Sequence, residues 1–162
     1  MELRTDYFRA ADEAAVRKVM ERGERPPAES FESVQARGID PTVVLPHLVA
    51  ALRGGSPVKD GPDRSVWPTG LQPWHPEAPS TAVDLDDPWM TGPWVVELSD
   101  ETRDALAGIE RRRLPQLTTQ WGRTDEVKNV ERIELMRLIH QLGVLARRAK
   151  KDDQHLYCAL TE

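Results

Sequence analysis

Cysteine is nearly absent: Cys158 is the only one in 162 residues. A single thiol excludes an internal disulfide framework and any cysteine-based zinc site. Its place inside the apolar run HLYCALT (155–161) predicts an inert, buried thiol rather than a nucleophile. Long hydrophobic runs are also missing. No stretch approaches the roughly 18 apolar residues that a membrane span needs. The opening MELRTDYFRAADEAAV is charged from its second residue and lacks the apolar core of a signal peptide. A cytoplasmic, reducing compartment without a membrane partner is the expectation. Catalytic signatures are lacking as well. There is no G-x-S-x-G, P-loop, G-x-G-x-x-G, H-E-x-x-H or H-x-x-x-H. RGGSP (53–57) is too short to cradle a phosphate and reads as a helix stop, and Ser56 and Ser65 read as ordinary loop residues.

Charge is present but uneven. Residues 1–100 carry 10 basic and 17 acidic side chains, and residues 101–162 carry 12 basic and 10 acidic. Nucleic-acid binding needs a clustered basic face. The only runs of that kind, ERRRL (110–114) and ARRAKK (146–151), are short and flanked by acids. They read as solvated helix ends, and nucleic acid is not an expected partner.

Periodicity and caps mark the regular elements. DYFRAA (6–11) has the composition of a short strand. In DEAAVRKVMERG (12–23), Asp12 is a natural N-cap, Ala15, Val16, Val19 and Met20 form a stripe, and Gly23 ends the helix. FESVQARG (31–38) predicts a further helical turn or two. In IDPTVVLPHLVAALRGG (39–55), Asp40 can cap and Pro41 suits the first helical position. That helix is apolar all round, which predicts burial. Pro46 should kink it or split off its first turn. WVVEL (94–98) reads as a strand. Ser99 caps a helix with acids in its first turn (99–109), LPQLTTQW (114–121) forms a short helix, and residues 130–151 form the most regular one. Leu135, Leu138, Ile139, Leu142, Leu145, Ala146 and Ala149 line one side of it. Gly143 inside it costs about 1 kcal/mol relative to Ala. The final run, 155–161, reads as a closing strand.

The order of these elements resembles the YfbM-like domains, small bacterial cytoplasmic proteins of unknown function. The likeness is carried by Tyr7 and Phe8 in the first strand, by Ile39 and Asp40 followed by His47, by Gly92 and Pro93 leading into SDETRDAL, and by the long helix with its apolar last strand. Val43 stands where the family often has an aromatic, and Pro46 beside the histidine is unusual for it. The resemblance implies a single α+β domain with helices packed around a small sheet. It implies no reaction.

Residues 55–93 stand apart. They hold eight of the thirteen prolines, and four of the five tryptophans fall between 67 and 94. Prolines disfavour regular ladders there, so a long irregular insert is expected. Exposed indoles are costly unless something covers them, so the insert is expected to be ordered and pinned to the body. Trp94, opening a strand, is assigned to the core. Trp67, Trp74 and Trp89 are candidates for a binding surface, with Trp74 the best candidate for an exposed anchor. The acids beside them, Glu77, Asp84, Asp86 and Asp87, favour a basic protein partner. The DLDD cluster lacks the glycine turn and terminal glutamate of a calcium loop, so no metal or other cofactor is expected.

Two functional readings follow. The first is a non-catalytic protein-interaction module, immunity-type or regulatory, that docks through the acidic tryptophan loop. The alternative is an enzyme or small-ligand binder with a pocket between that loop and the 40–53 helix. His47, His75 and Asp86 would then supply acid–base chemistry. His140, opposite the apolar stripe of its helix, and His155 read as surface residues.

Overall fold

A computed structural model describes residues 4–23, 30–39, 41–55, 64–77 and 85–161. Its centre is an antiparallel sheet of β1 (Arg4–Ala10), β2 (Ser33–Gln35), β3 (Arg64–Trp67), β4 (Trp94–Glu97) and β5 (His155–Thr161), in the order β2-β1-β5-β4-β3. The first and last strands of the chain pair in the middle, from Arg4 opposite Thr161 to Ala10 opposite His155. Each strand is buried over four consecutive positions, Thr5–Phe8 and Leu156–Ala159, so each face of the sheet must be covered.

The two faces are covered unequally. On one lie α2 (Val44–Leu52), α4 (Asp100–Ala107), α5 (Leu114–Trp121) and α6 (Arg132–Lys151), around Tyr7, Leu98, Leu156 and Cys158. On the other, α1 (Glu13–Glu21) packs Val16 and Met20 against Phe8, Val66, Val95 and Tyr157. Alternation along β1 sends neighbouring aromatics to opposite sides. Tyr7 enters the larger core and donates its hydroxyl to the Ile39 carbonyl at 2.5 Å. Phe8 stacks in the smaller one between Phe31 at 5.1 Å and Tyr157 at 5.5 Å.

Local chemistry sets the helix starts. The Asp12 carboxylate accepts from the Ala15 N–H at 2.8 Å, and the Ser99 hydroxyl from the Thr102 N–H at 3.1 Å. The α6 stripe is buried from Leu135 to Ala149. Gly143 has a packing reason. A Cβ there would sit 3.3 Å from the Ile109 Cβ, so glycine lets the segment after α4 close against α6. Arg147 ties the same spot by donating to the Ile109 carbonyl at 2.8 Å.

Three expectations are corrected. The 31–38 segment is not helical: Ser33–Gln35 pairs with Phe8, Tyr7 and Asp6 as an edge strand, since β1 offers it a free edge. The proline-rich region does hold a strand. β3 avoids the prolines by ending at Trp67, just before Pro68. A register shift between Ser65 and Trp67 lets Val66 and Trp67 both reach the smaller core. Finally, regular α2 starts only at Val44, and it buries Val44, Leu45, Leu48 and Val49 while Pro46 and His47 face out. His47 is therefore an exposed residue, not a core histidine. Four apolar residues on one side suffice to dock the helix, and the alanines complete the rest of its surface. The proposed cap Asp40 lies outside the described residues.

Candidate functional site

The described parts of the insert, 64–77 and 85–93, are held by three tryptophans in three different ways. Trp67 is half-buried against the smaller core. Trp94 is also half-buried, less deep than a core assignment predicts. Its indole N–H donates to the Trp89 carbonyl at 2.9 Å, so its task is to clasp the loop that precedes it. Asp87 caps the short helix α3 (Pro88–Thr91) by accepting from the Trp89 N–H at 2.8 Å. Pro88 at the first helical position needs no donor there. Trp89 is thus fixed at both its N–H and its carbonyl.

Against this fixed ring stands Trp74. The two indoles meet edge to face, 6.4 Å between centroids and 72° between planes, a favoured aromatic geometry. Trp74 is 59% exposed. The same segment also exposes Leu71, Leu85 and Met90. Of the seven large hydrophobics exposed among the described residues, four lie between 71 and 90. Beside Trp89 a cavity of about 290 Å³ opens, lined among others by Arg17, Ser65, Thr69, Leu71, Gln72 and His75.

The candidate acids divide. Glu77 and Asp86 are exposed. Asp87 is half-buried and committed to its cap. Asp84 lies outside the described residues. His75 is exposed, and its Nδ1 accepts from the Glu77 N–H at 3.1 Å. With that lone pair engaged, Nε2 is the ring nitrogen left to face a ligand. His47 plays no part here. It sits on α2, on the face of the sheet opposite α1 and the cavity. The His47–His75–Asp86 constellation is not assembled.

One group of ionisable residues had no local signal in the sequence. Where α4 begins, His155 Nδ1 lies 2.7 Å from the Asp100 carboxylate. Glu97 binds Arg64 at 2.6 Å and accepts from the Tyr157 hydroxyl at 3.4 Å, and Arg64 reaches Glu13 at 2.9 Å. These residues come together because β3, β4 and β5 pair and because α1 brings Glu13, and the start of α4 Asp100, to the same edge. Burial, and then the negative charge and hydrogen bond of Glu97 with the fields of Asp12 and Glu13, push the Tyr157 hydroxyl well above its usual range. The fold favours its protonated form, so the stability this gives is present below the unfolded value, roughly 10, and is lost as pH rises past it. Urea midpoints measured at roughly pH 8 and roughly pH 11 should fall more in the native protein than in Tyr157→Phe. Equal losses would remove Tyr157 from the account.

Among the described residues, no three His, Cys, Asp or Glu side chains are placed to hold a metal ion, and no helix is long and apolar enough to cross a membrane. No family model, curated protein or solved structure matches the chain.

Proposed function

We propose that this protein is a non-catalytic interaction module, regulatory or immunity-type, that docks a partner protein through the loop bearing Trp74. The observation that carries this reading is an indole 59% exposed yet propped on Trp89, which is itself fixed by Asp87 and Trp94. A rigid, exposed indole loses little entropy when it is covered, which is why tryptophan recurs at the energetic centres of interfaces. Glu77 and Asp86, exposed in the same loop region, favour a partner with a basic surface and speed its approach. The resemblance to YfbM-like bacterial domains is compatible with such a role and adds no reaction to it.

Trp74→Ala should lower folding stability by no more than about 1.5 kcal/mol, the worth of its edge-to-face pair with Trp89. It should weaken partner binding by at least about thirtyfold, the mark of a hot-spot residue. Affinity capture from lysate with the native protein, Trp74→Ala and Asp86→Ala, compared by quantitative mass spectrometry, reads this directly. An unchanged set of captured proteins would sink it.

The cavity beside Trp89 supports a second reading, a small-ligand site in which Arg17, Gln72 and the His75 Nε2 orient a polar molecule. In that reading His47 has no role.

A further inference from the structure

The exposed apolar side chains that lie outside the loop are also concentrated. Besides Val43, they are Val130 and Ile133, just before and within the first turn of α6. Ile133 is 63% exposed. It lies off the buried stripe of α6, where a solvated helix would carry a polar residue. Together with Leu114 and Met136 it lines a groove of about 280 Å³, between the 3-10 turn Arg111–Arg113 with the start of α5 on one side and the first half of α6 on the other. The remaining lining residues are Arg111, Arg137 and His140. Arg137 is 3.0 Å from Glu134, whereas Arg111 makes no ion pair among the described residues. The groove therefore has an apolar floor with the Arg111 guanidinium at its rim. Trp74 is the converse, an apolar anchor with the exposed Glu77 three positions further along the chain.

Both surfaces belong to one chain, but they lie on opposite sides of its sheet. The loop sits with α1 on the smaller core, and the groove lies in the outer surface of the helix layer over the larger one. A loop cannot reach the groove of its own molecule. We propose that the partner of the Trp74 loop is a second copy of this chain, which receives it in the groove formed by Leu114, Ile133 and Met136. This inference rests on reading the loop as a docking surface, and it names the occupant of both sites. Charge complementarity of the exposed Glu77 with Arg111 at the groove rim selects the orientation. The contact is heterologous, so each bound copy still presents one free loop and one free groove, and assembly continues beyond the dimer unless a ring closes. One indole in one groove is a small interface, which places the contact among weak, transient ones.

Sedimentation velocity over a concentration series up to about 1 mM tests this, since weak association appears only near that range. The native chain should associate with rising concentration, and less so at high salt, which screens the rim. Trp74→Ala, which keeps only the groove, and Ile133→Glu, which keeps only the loop, should each be monomeric, with association weakened at least about tenfold. Both positions are exposed, and circular dichroism confirms that each variant is folded. Mixing the two variants should restore association and stop at a one-to-one heterodimer, because only one competent loop and one competent groove remain. A native chain that stays monomeric throughout overturns the proposal. So does association that survives Ile133→Glu, since the groove is then not its seat. If the chain stays monomeric while Trp74→Ala still loses its lysate partners, self-docking falls and the loop's docking role stands. If association needs Ile133 but not Trp74, self-docking of the loop falls, and the loop's docking role falls with it only if Trp74→Ala also leaves the captured lysate proteins unchanged.

Discussion

Trp121→Ala is expected to lower the unfolding free energy by about 3–5 kcal/mol, the range for deleting a large buried aromatic. Against a total of about 5–15 kcal/mol for a domain, that is a large fraction. Trp121 is the largest fully buried side chain and closes α5 against the main core. Its indole N–H also donates to the Val44 carbonyl at 3.0 Å, which joins α5 to the first turn of α2. The substitution leaves a cavity and also removes that tie. Trp121→Phe separates the two effects. It keeps most of the ring volume and loses the donor, so it should cost less than the alanine variant by a kcal/mol or more (roughly). Urea denaturation followed by far-ultraviolet circular dichroism measures both. A midpoint for Trp121→Ala indistinguishable from the native one would mean that the larger core is not organised around this residue.

Gly92→Ala should combine a stability loss with a loss of docking. Gly92 has φ +70° and ψ −168°, a region that residues with a Cβ avoid at a cost of about 1–3 kcal/mol. A Cβ there would also sit 2.9 Å from two atoms of the Trp94 ring. The ring would have to move, and its bond to the Trp89 carbonyl would go with it. Trp89 would lose one of its two fixings, and Trp74 would lose a firm support. Gly54→Ala is the matched control: its φ is +68°, but a Cβ there meets nothing within 4 Å. Gly92→Ala should therefore destabilise more than Gly54→Ala, and only Gly92→Ala should reduce partner capture. If both variants cost the same and both retain partners, the clasp between Trp94 and Trp89 has no bearing on the loop.

The helices were legible because their signals are local. Asp12 and Ser99 announce helix starts within three residues of the donors they satisfy, and the Leu135–Ala149 stripe repeats at the helical period. Their agreement with the structure is what a bond pattern spanning four residues should give. The short strands were not legible. Ser33–Gln35 has too few residues to show alternation, and it is a strand only because β1 lies beside it. Arg64–Trp67 was obscured by surrounding prolines, although none falls inside it. At the candidate site, composition singled out the tryptophans and favoured Trp74 as the exposed one. Composition said nothing of the division of work among Trp67, Trp89 and Trp94, which depends on where β3, α3 and β4 meet.

Taken alone, the sequence determined the capped helices, the apolar closing strand and the stretch where exposed aromatics collect. Tertiary structure decided which side of each element is buried. It turned His47 outward, parted His47 from His75 by a sheet, brought His155 to Asp100 across 55 positions of chain, and set the Trp74 loop and the Ile133 groove on opposite faces. The reason is one of range. Caps and helical periods are satisfied between neighbours in the chain, whereas burial and proximity are settled by whatever distant element arrives to pack, and in this fold the two ends of the chain meet at its centre.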